Sequence, residues 1–127
     1  MSKTLAMSSG LALTLALLLG ALLFWFECPC DRLPGGPLKG AGVEEAVTDW
    51  SFANQAPLCQ LQVDALIPWS VNLNCMADQG VLYISCARCQ SKYWSSTVLK
   101  TPEGDIGIAN KVYPVSIERV MDPLELD

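Results

Sequence analysis

Two cysteines of this chain, Cys86 and Cys89, have the spacing of a thiol redox pair. They form a C-x-x-C motif directly after the apolar run Val81–Ser85, and Arg88 lies between them. A neighbouring guanidinium stabilises a thiolate, which is the form of cysteine that attacks a disulfide. The motif is therefore a candidate redox site.

Four more cysteines leave other uses of sulfur open. The full set is Cys28, Cys30, Cys59, Cys75, Cys86 and Cys89. An even number in an exported domain permits structural disulfides, and free thiols are also common in protein cores. A weaker alternative is a zinc site in which Cys28 and Cys30 join Cys86 and Cys89, although the intervening proline makes the first pair a stiff ligand. We predict no other metal site.

The composition excludes several classes of function. The chain contains no histidine, which removes the Ser-His-Asp and Cys-His catalytic arrangements and histidine-ligated metals. Thirteen Asp and Glu residues outnumber eight Lys and Arg residues, and the basic residues form no cluster that would neutralise phosphates. We therefore predict that nucleic acid is not a partner.

The first part of the chain is a long uncharged segment. No charged residue occurs from Leu5 to Phe26. About twenty helical residues cross a hydrocarbon core of about 30 Å, so the segment is long enough to span a membrane. Trp25 lies where an interfacial aromatic residue is expected. We predict a single transmembrane helix within residues 1–27.

This segment is predicted to be an uncleaved signal-anchor. The apolar part of a cleaved signal peptide has about 7–15 residues and ends in small side chains, whereas this run ends in three aromatic residues at 24–26. Lys3 precedes the run, and the acidic Glu27 and Asp31 follow it. This charge distribution favours an N-terminus in the cytoplasm and a domain outside it.

The rest of the chain divides into a tether and a domain. Residues 28–42 are rich in proline and glycine, which is typical of a tether and incompatible with a helix or a central strand. The domain is expected over residues 43–127, and its length suits one compact unit.

Alternation of apolar and polar residues predicts that the domain is mainly β. Strands are expected at 58–63, 70–75, 81–86, 105–109 and 112–121, with a short helix at 90–99. The aromatics Trp50 and Phe52 also alternate as in a strand, and the turn at 77–80 indicates a hairpin. Pro114 must lie at an edge, a bulge or a strand start because it lacks an N–H group.

Three features of the domain occur together in a known superfamily. They are a D-x-G turn before Leu-Tyr-Ile, a basic loop with a lysine and a tryptophan that enters a helix, and a final V-Y-x-V-x-x-x-R-V-x-D-P pattern. On these features, residues 49–123 resemble the FMN-binding split-barrel superfamily, which includes pyridoxamine-phosphate-oxidase-like proteins and deazaflavin-dependent nitroreductases. The resemblance implies a small split β-barrel with one short helix.

The resemblance also implies a site. In that superfamily the basic loop holds the phosphate of the cofactor, so Arg88, Ser91 and Lys92 are the matching candidates to bind FMN or a deazaflavin. Trp94 would contact the cofactor ring or fill the core. Barrels of this kind often pair to complete a site, which implies a homodimer.

Three functions follow from these observations. The first is a membrane-tethered oxidoreductase that uses a flavin or deazaflavin on a small substrate. The second is a thiol redox protein that uses Cys86 and Cys89. The third is a non-catalytic domain for binding or assembly at the membrane surface. Fold alone does not choose between the first and the third.

Overall fold

The computed structural model describes residues 2–30, 32–56, 58–86 and 88–120. A long helix precedes a β-sheet, with one short helix between strands. The elements in chain order are α1 (Ser2–Glu27), β1 (Ala41–Gly42), β2 (Cys59–Asp64), β3 (Pro68–Asp78), β4 (Val81–Ser85), α2 (Tyr93–Lys100), β5 (Glu103–Ile108) and β6 (Lys111–Ser116). The prediction of a mainly β domain with one short helix, behind a long apolar helix, is confirmed.

Helix α1 carries the predicted membrane span. Its residues Lys3–Glu27 are long and apolar enough to cross a membrane, and the side chains along the span are exposed. A helix satisfies its own backbone hydrogen bonds, which lipid cannot do for it. The crossing itself and its direction stay predictions.

The six strands form one mixed sheet in the order β1-β6-β5-β2-β3-β4. All neighbours are antiparallel except β1 and β6, which are parallel. Within the described residues the sheet is open, with β1 and β4 at its two edges. The sequence resemblance predicted a split β-barrel. Because the described strands form an open sheet, closure into a barrel stays a prediction.

Strand β3 joins two parts of the sheet. Its first half, Pro68 to Leu73, pairs with β2, and its second half, Asn74 to Asp78, pairs with β4. The hairpin turn has positive φ at Gln79 (51°) and Gly80 (80°), as a type I′ turn requires. The predicted hairpin is confirmed, and β3 extends beyond the alternating segment that predicted it.

The core lies between the sheet and α2. In β2 the residues Cys59, Leu61 and Val63 are fully buried, whereas the intervening glutamines are only partly buried. Trp94 and Val98 of α2 belong to the same apolar cluster. Period-two alternation in β2 therefore predicted the buried face correctly.

Two local expectations were wrong. Residues Ser51–Gln55 form a 3₁₀ turn rather than a strand, because the Asp49 carboxylate accepts the Ser51 N–H (2.9 Å) and bends the chain. The short helix begins at Tyr93 rather than at 90, because Arg88 adopts the left-handed conformation (φ 54°) and a 3₁₀ turn follows it.

The last strand is shorter than predicted. Strand β6 ends at Ser116. The Ile117 N–H still donates to the Pro102 carbonyl (2.8 Å) at the next ladder position, but Pro102 has no N–H group to return the bond. Position 121, where the predicted strand ends, lies outside the described residues. Pro114 pairs with β5 on one side and lies beyond the two residues that β1 covers on the other. Its predicted edge position is confirmed.

The segment predicted to be a tether contacts both α1 and the sheet. Gly35 forms a β-bridge with Ser70, and the Gly36 N–H donates to the Trp25 carbonyl (2.8 Å). Ser70 is fully buried, and its hydroxyl donates to the Gly36 carbonyl (2.6 Å). A Cβ on Gly35 would clash with the Cys28 backbone, so only glycine fits this approach. The contacts join the end of α1 to the start of β3.

Candidate functional site

The C-x-x-C motif lies in the loop between β4 and α2. Cys86 and Cys89 form a disulfide with a Cα–Cα distance of 5.5 Å, and both are half-buried against the core. Arg88 between them is exposed. The loop therefore presents a formed disulfide beside one cation, which is the starting point for thiol–disulfide exchange if a thiolate reaches it.

The three residues predicted to hold a phosphate lie on this same loop. Arg88, Ser91 and Lys92 are exposed, and the Ser91 hydroxyl donates to the Arg88 carbonyl (2.9 Å). Trp94 points the other way and is buried in the core cluster. The structure thus brings the loop residues together and leaves Trp94 as core.

The four cysteines of the zinc alternative are paired within their own motifs. Cys28 and Cys30 form a disulfide with a Cα–Cα distance of 4.6 Å, just as Cys86 and Cys89 do. A disulfide sulfur lacks the thiolate charge that zinc requires. Within the described ranges, no group of three or more His, Cys, Asp or Glu side chains could hold a metal ion.

The third disulfide supports the sheet from inside. Cys59 of β2 is fully buried and bonds to Cys75 of β3, with a Cα–Cα distance of 5.8 Å. Leu73 is the register partner of Cys59, so the bond runs diagonally to the part of β3 that has begun to pair with β4. This disulfide holds the joint from which the β3–β4 hairpin extends.

Among the described residues, no strand pairs with the outer edge of β4. The Ala77 N–H and carbonyl bond to the side chain of Asn54 (2.8 and 2.9 Å), so they point away from β4. Ala77 and its register partner Leu82 are therefore a non-hydrogen-bonded pair. It follows that the N–H and C=O groups of Leu82 point outward, and those of Ile84 follow by alternation.

The side chains of β4 complete this surface. Leu82 and Ile84 pack against the core, while Val81 is 51% exposed and Ser85 is also exposed. No charged residue occurs from Val81 to Ser85. The sequence interpretation missed this edge, although the long uncharged stretch between Asp78 and Arg88 was its signal.

A second surface lies beside α2. A groove of about 250 Å³ separates α2 from the turn that links β2 and β3, and Asp64, Leu66, Tyr93 and Lys100 are among its lining residues. Nearby, burial raises the pKa of Asp105 above its ordinary value, and the negative charge of Asp64 adds to the shift. The predicted phosphate residues do not line this groove.

No family model, no curated protein and no solved structure matches this chain. The resemblance to the FMN-binding split-barrel superfamily therefore stays a prediction that rests on the quoted motifs.

Proposed function

We propose that this protein is a membrane-anchored binding module that takes up an extended, uncharged segment of a partner protein along the outer edge of β4. The observation that supports the proposal is the outward direction of the Leu82 and Ile84 backbone groups at a sheet edge without charges. A strand with such an edge is a template for another strand. Peptide recognition by strand addition uses this kind of edge.

The expected contacts follow from strand geometry. A partner strand would exchange N–H···O bonds with Leu82 and Ile84, each contributing about 0.5–1.5 kcal/mol net. Val81 and Ser85 would face the side chains of the partner on the exposed face. A charged segment would find no opposite charge on β4, so an uncharged β-branched or aromatic segment suits this edge best.

The first experiment measures hydrogen exchange on the full chain in lipid nanodiscs. We expect the outward amides of Leu82 and Ile84 to exchange fast, and the inward amides of Val81 and Ser85 to be protected by β3. Binding of a partner should then protect Leu82 and Ile84. Protection of these two amides in the chain alone would contradict an open edge and with it the proposal.

The second experiment seeks the partner in native membranes. A photo-crosslinking amino acid at Val81 should give a discrete adduct, with the crosslink in an extended uncharged peptide, and the same amino acid at Lys111 of β6 should not. Ser85→Lys should weaken binding about tenfold or more and so reduce the yield of the adduct, because an edge lysine blocks strand addition. Its matched control is Asn74→Lys, the exposed register partner of Ser85 on β3. An adduct yield that Ser85→Lys leaves unchanged would refute the proposal.

A flavin- or deazaflavin-dependent oxidoreductase built on a split barrel is a second proposal. It is supported by the two exposed cations, Arg88 and Lys92, on one short loop with the Ser91 hydroxyl. The test is the visible absorbance of protein purified from its native membrane, where a bound flavin is directly detectable. A colourless protein with no thermal shift on addition of FMN or a deazaflavin would exclude it.

Thiol–disulfide exchange is a third proposal and is supported by the disulfide between Cys86 and Cys89 in its exposed loop. The domain would meet this chemistry outside the cytoplasm if α1 crosses with its N-terminus inside. Cys86→Ser should abolish the reduction of a disulfide substrate. Unchanged activity in that variant would rule this function out.

A further inference from the structure

We infer a second membrane contact: residues 65–67, the turn between β2 and β3, insert into the same bilayer leaflet that α1 leaves. The occupant of this surface is lipid. The inference concerns the membrane-facing end of the domain and is independent of the β4 edge, so either proposal can fail without the other.

The direction of β3 relative to α1 supports the inference. Asn72 donates from its side-chain amide to the Pro29 carbonyl (3.3 Å), just beyond the end of α1. Three residues earlier in β3, the ring of Trp69 lies 5.6 Å from the ring of Trp25, in the last turn of α1. Stepping back along β3 therefore follows α1 back toward the bilayer. Residues 65–67 lie farther along the same path.

The composition of the turn suits lipid. Leu66 is 99% exposed and Ile67 is 53% exposed, and Pro68 beside them is exposed as well. No charged residue occurs from Ala65 to Ala77. Transfer of an exposed leucine side chain from water to hydrocarbon is favourable in free energy. A membrane beside the turn therefore favours insertion of Leu66.

Aromatic rings connect the turn to the membrane span. Trp25 packs edge-on against Trp69, and Trp69 packs edge-on against Tyr93 with 4.8 Å between the ring centroids. Tyr93 is half exposed at the start of α2. Tryptophan and tyrosine prefer the headgroup level because one part of each ring is apolar and another forms hydrogen bonds. The three rings thus mark one interfacial level for α1 and for the domain.

The charges at this end lie in the adjoining groove rather than on the turn. Asp64 and Lys100 line the groove together with Leu66 and Tyr93. Lys100 supplies a cation to the lining of the groove, and an ammonium at headgroup level attracts lipid phosphate. The groove therefore suits headgroups, and the turn suits the acyl region beneath them.

The experiment uses the full chain in nanodiscs whose lipids carry a spin label in the acyl chain. The amide signals of Leu66 and Ile67 should be broadened beyond detection, as those of α1 should be, while the Gly80 amide at the opposite end of β3 should keep its intensity. Signals from α1 are the internal positive control because their loss proves that the chain is inserted. An undiminished Leu66 signal beside a broadened α1 would overturn the inference.

A matched pair of variants separates lipid contact from chance collision. Leu66→Asp should restore the signals of the turn, because a carboxylate resists transfer into hydrocarbon. Met76→Asp, on an exposed apolar residue of the distal half of β3, should change none of them. Equal broadening at Leu66 and Met76 in the unmodified chain would also refute insertion. Broadening of the turn signals that occurs only after a protein partner is added would refute it as well.

Discussion

The sheet ends on one side at the two-residue strand β1, which leaves the rest of β6 uncovered, and on the other side at β4; these two edges are built differently. On β6, Pro114 occupies a position whose N–H would face outward, Lys111 adds a charge, and β1 covers the first two residues. On β4, the backbone N–H and C=O groups of Leu82 and Ile84 point outward, and no residue of the strand is charged. Proline, charge and cover are the devices that prevent unwanted strand pairing. Among the described residues these devices occur on one edge and not on the other, which supports our proposal that β4 is a binding edge.

The difference between the two edges depends on the point in β3 where pairing changes from β2 to β4, because this point sets the position of β4. Removing the Cys59–Cys75 disulfide by Cys59→Ala with Cys75→Ala should lower the free energy of unfolding by about 3 kcal/mol, from the loop that the bond closes. The closed loop spans a sequence separation of 16 residues. The measurement is denaturant unfolding of the domain in detergent, followed by tryptophan fluorescence.

The control for this change is Cys86→Ala with Cys89→Ala. That disulfide closes a loop with a separation of only three residues, so the expected loss is about 2 kcal/mol by the same entropy argument. A loss at Cys86 and Cys89 that exceeds the loss at Cys59 and Cys75 would show that the loop, and not the joint, holds the hairpin.

A charge added to the β4 edge should block strand addition there, as we expect Lys111 and Pro114 to do on β6. Ser85→Lys should weaken partner binding about tenfold or more, equivalent to about 1.4 kcal/mol, because the ammonium would have to be desolvated beside an incoming strand. The readout is the yield of the Val81 crosslink against partner concentration. Asn74→Lys adds the same charge one strand inward and should leave the yield within twofold.

The direction of the β4 backbone groups was assigned from the hydrogen bonds between the Asn54 side chain and Ala77 of β3. Asn54→Ala removes two hydrogen bonds to the Ala77 backbone and should lower the free energy of unfolding by about 1 kcal/mol. The Ala77 amide should then exchange faster while the Leu82 amide stays fast. Asn74→Ala is the control with no such bonds to lose among the described contacts. A slow Leu82 amide would mean that the outward direction was assigned to the wrong residues.

The smallest effect is expected beside the protected edge, where Asp105 is the register partner of Pro114. Burial, followed by the charge of Asp64, raises the pKa of Asp105 in the folded chain. The folded state therefore binds this proton more tightly than the unfolded state, and stability falls as the pH rises from the ordinary range of an aspartate toward the raised value.

Asp105→Asn should accordingly raise the free energy of unfolding at neutral pH, by less than about 0.5 kcal/mol because solvent screens the partly exposed group. The gain should vanish below the ordinary pKa of aspartate, where the natural carboxyl is also neutral. Unfolding curves at both pH values, with Asp78→Asn as the exposed control, test this. A gain that persists in acid would assign it to packing instead of charge.

Much of the fold was predictable from local patterns. The span of α1 follows from a long uncharged run, and the buried face of β2 follows from alternation. The β3–β4 hairpin follows from a turn that ends in Gly80, and the place of Pro114 beyond the residues that β1 covers follows from its missing N–H group. Each of these depends on residues that are close in sequence, where backbone geometry and side-chain period act directly.

The candidate surfaces depend on residues that are far apart in sequence. Local pattern left open the choice among cysteine pairings and whether Trp94 fills the core or contacts a cofactor, because both are set by how β2, β3 and α2 pack together. The open edge arises because β5 pairs with β2, which leaves β4 at the end of the sheet.

By itself, the sequence determined a helix long and apolar enough to span a membrane, a mainly β domain and a chain able to form disulfides, since composition and period decide those features. Only the tertiary structure decided that the backbone groups of Leu82 and Ile84 point outward, and that β3 runs from the apolar turn past Trp25 toward Pro29. The physical reason is that strand order and strand direction come from long-range pairing, which no local window of residues specifies.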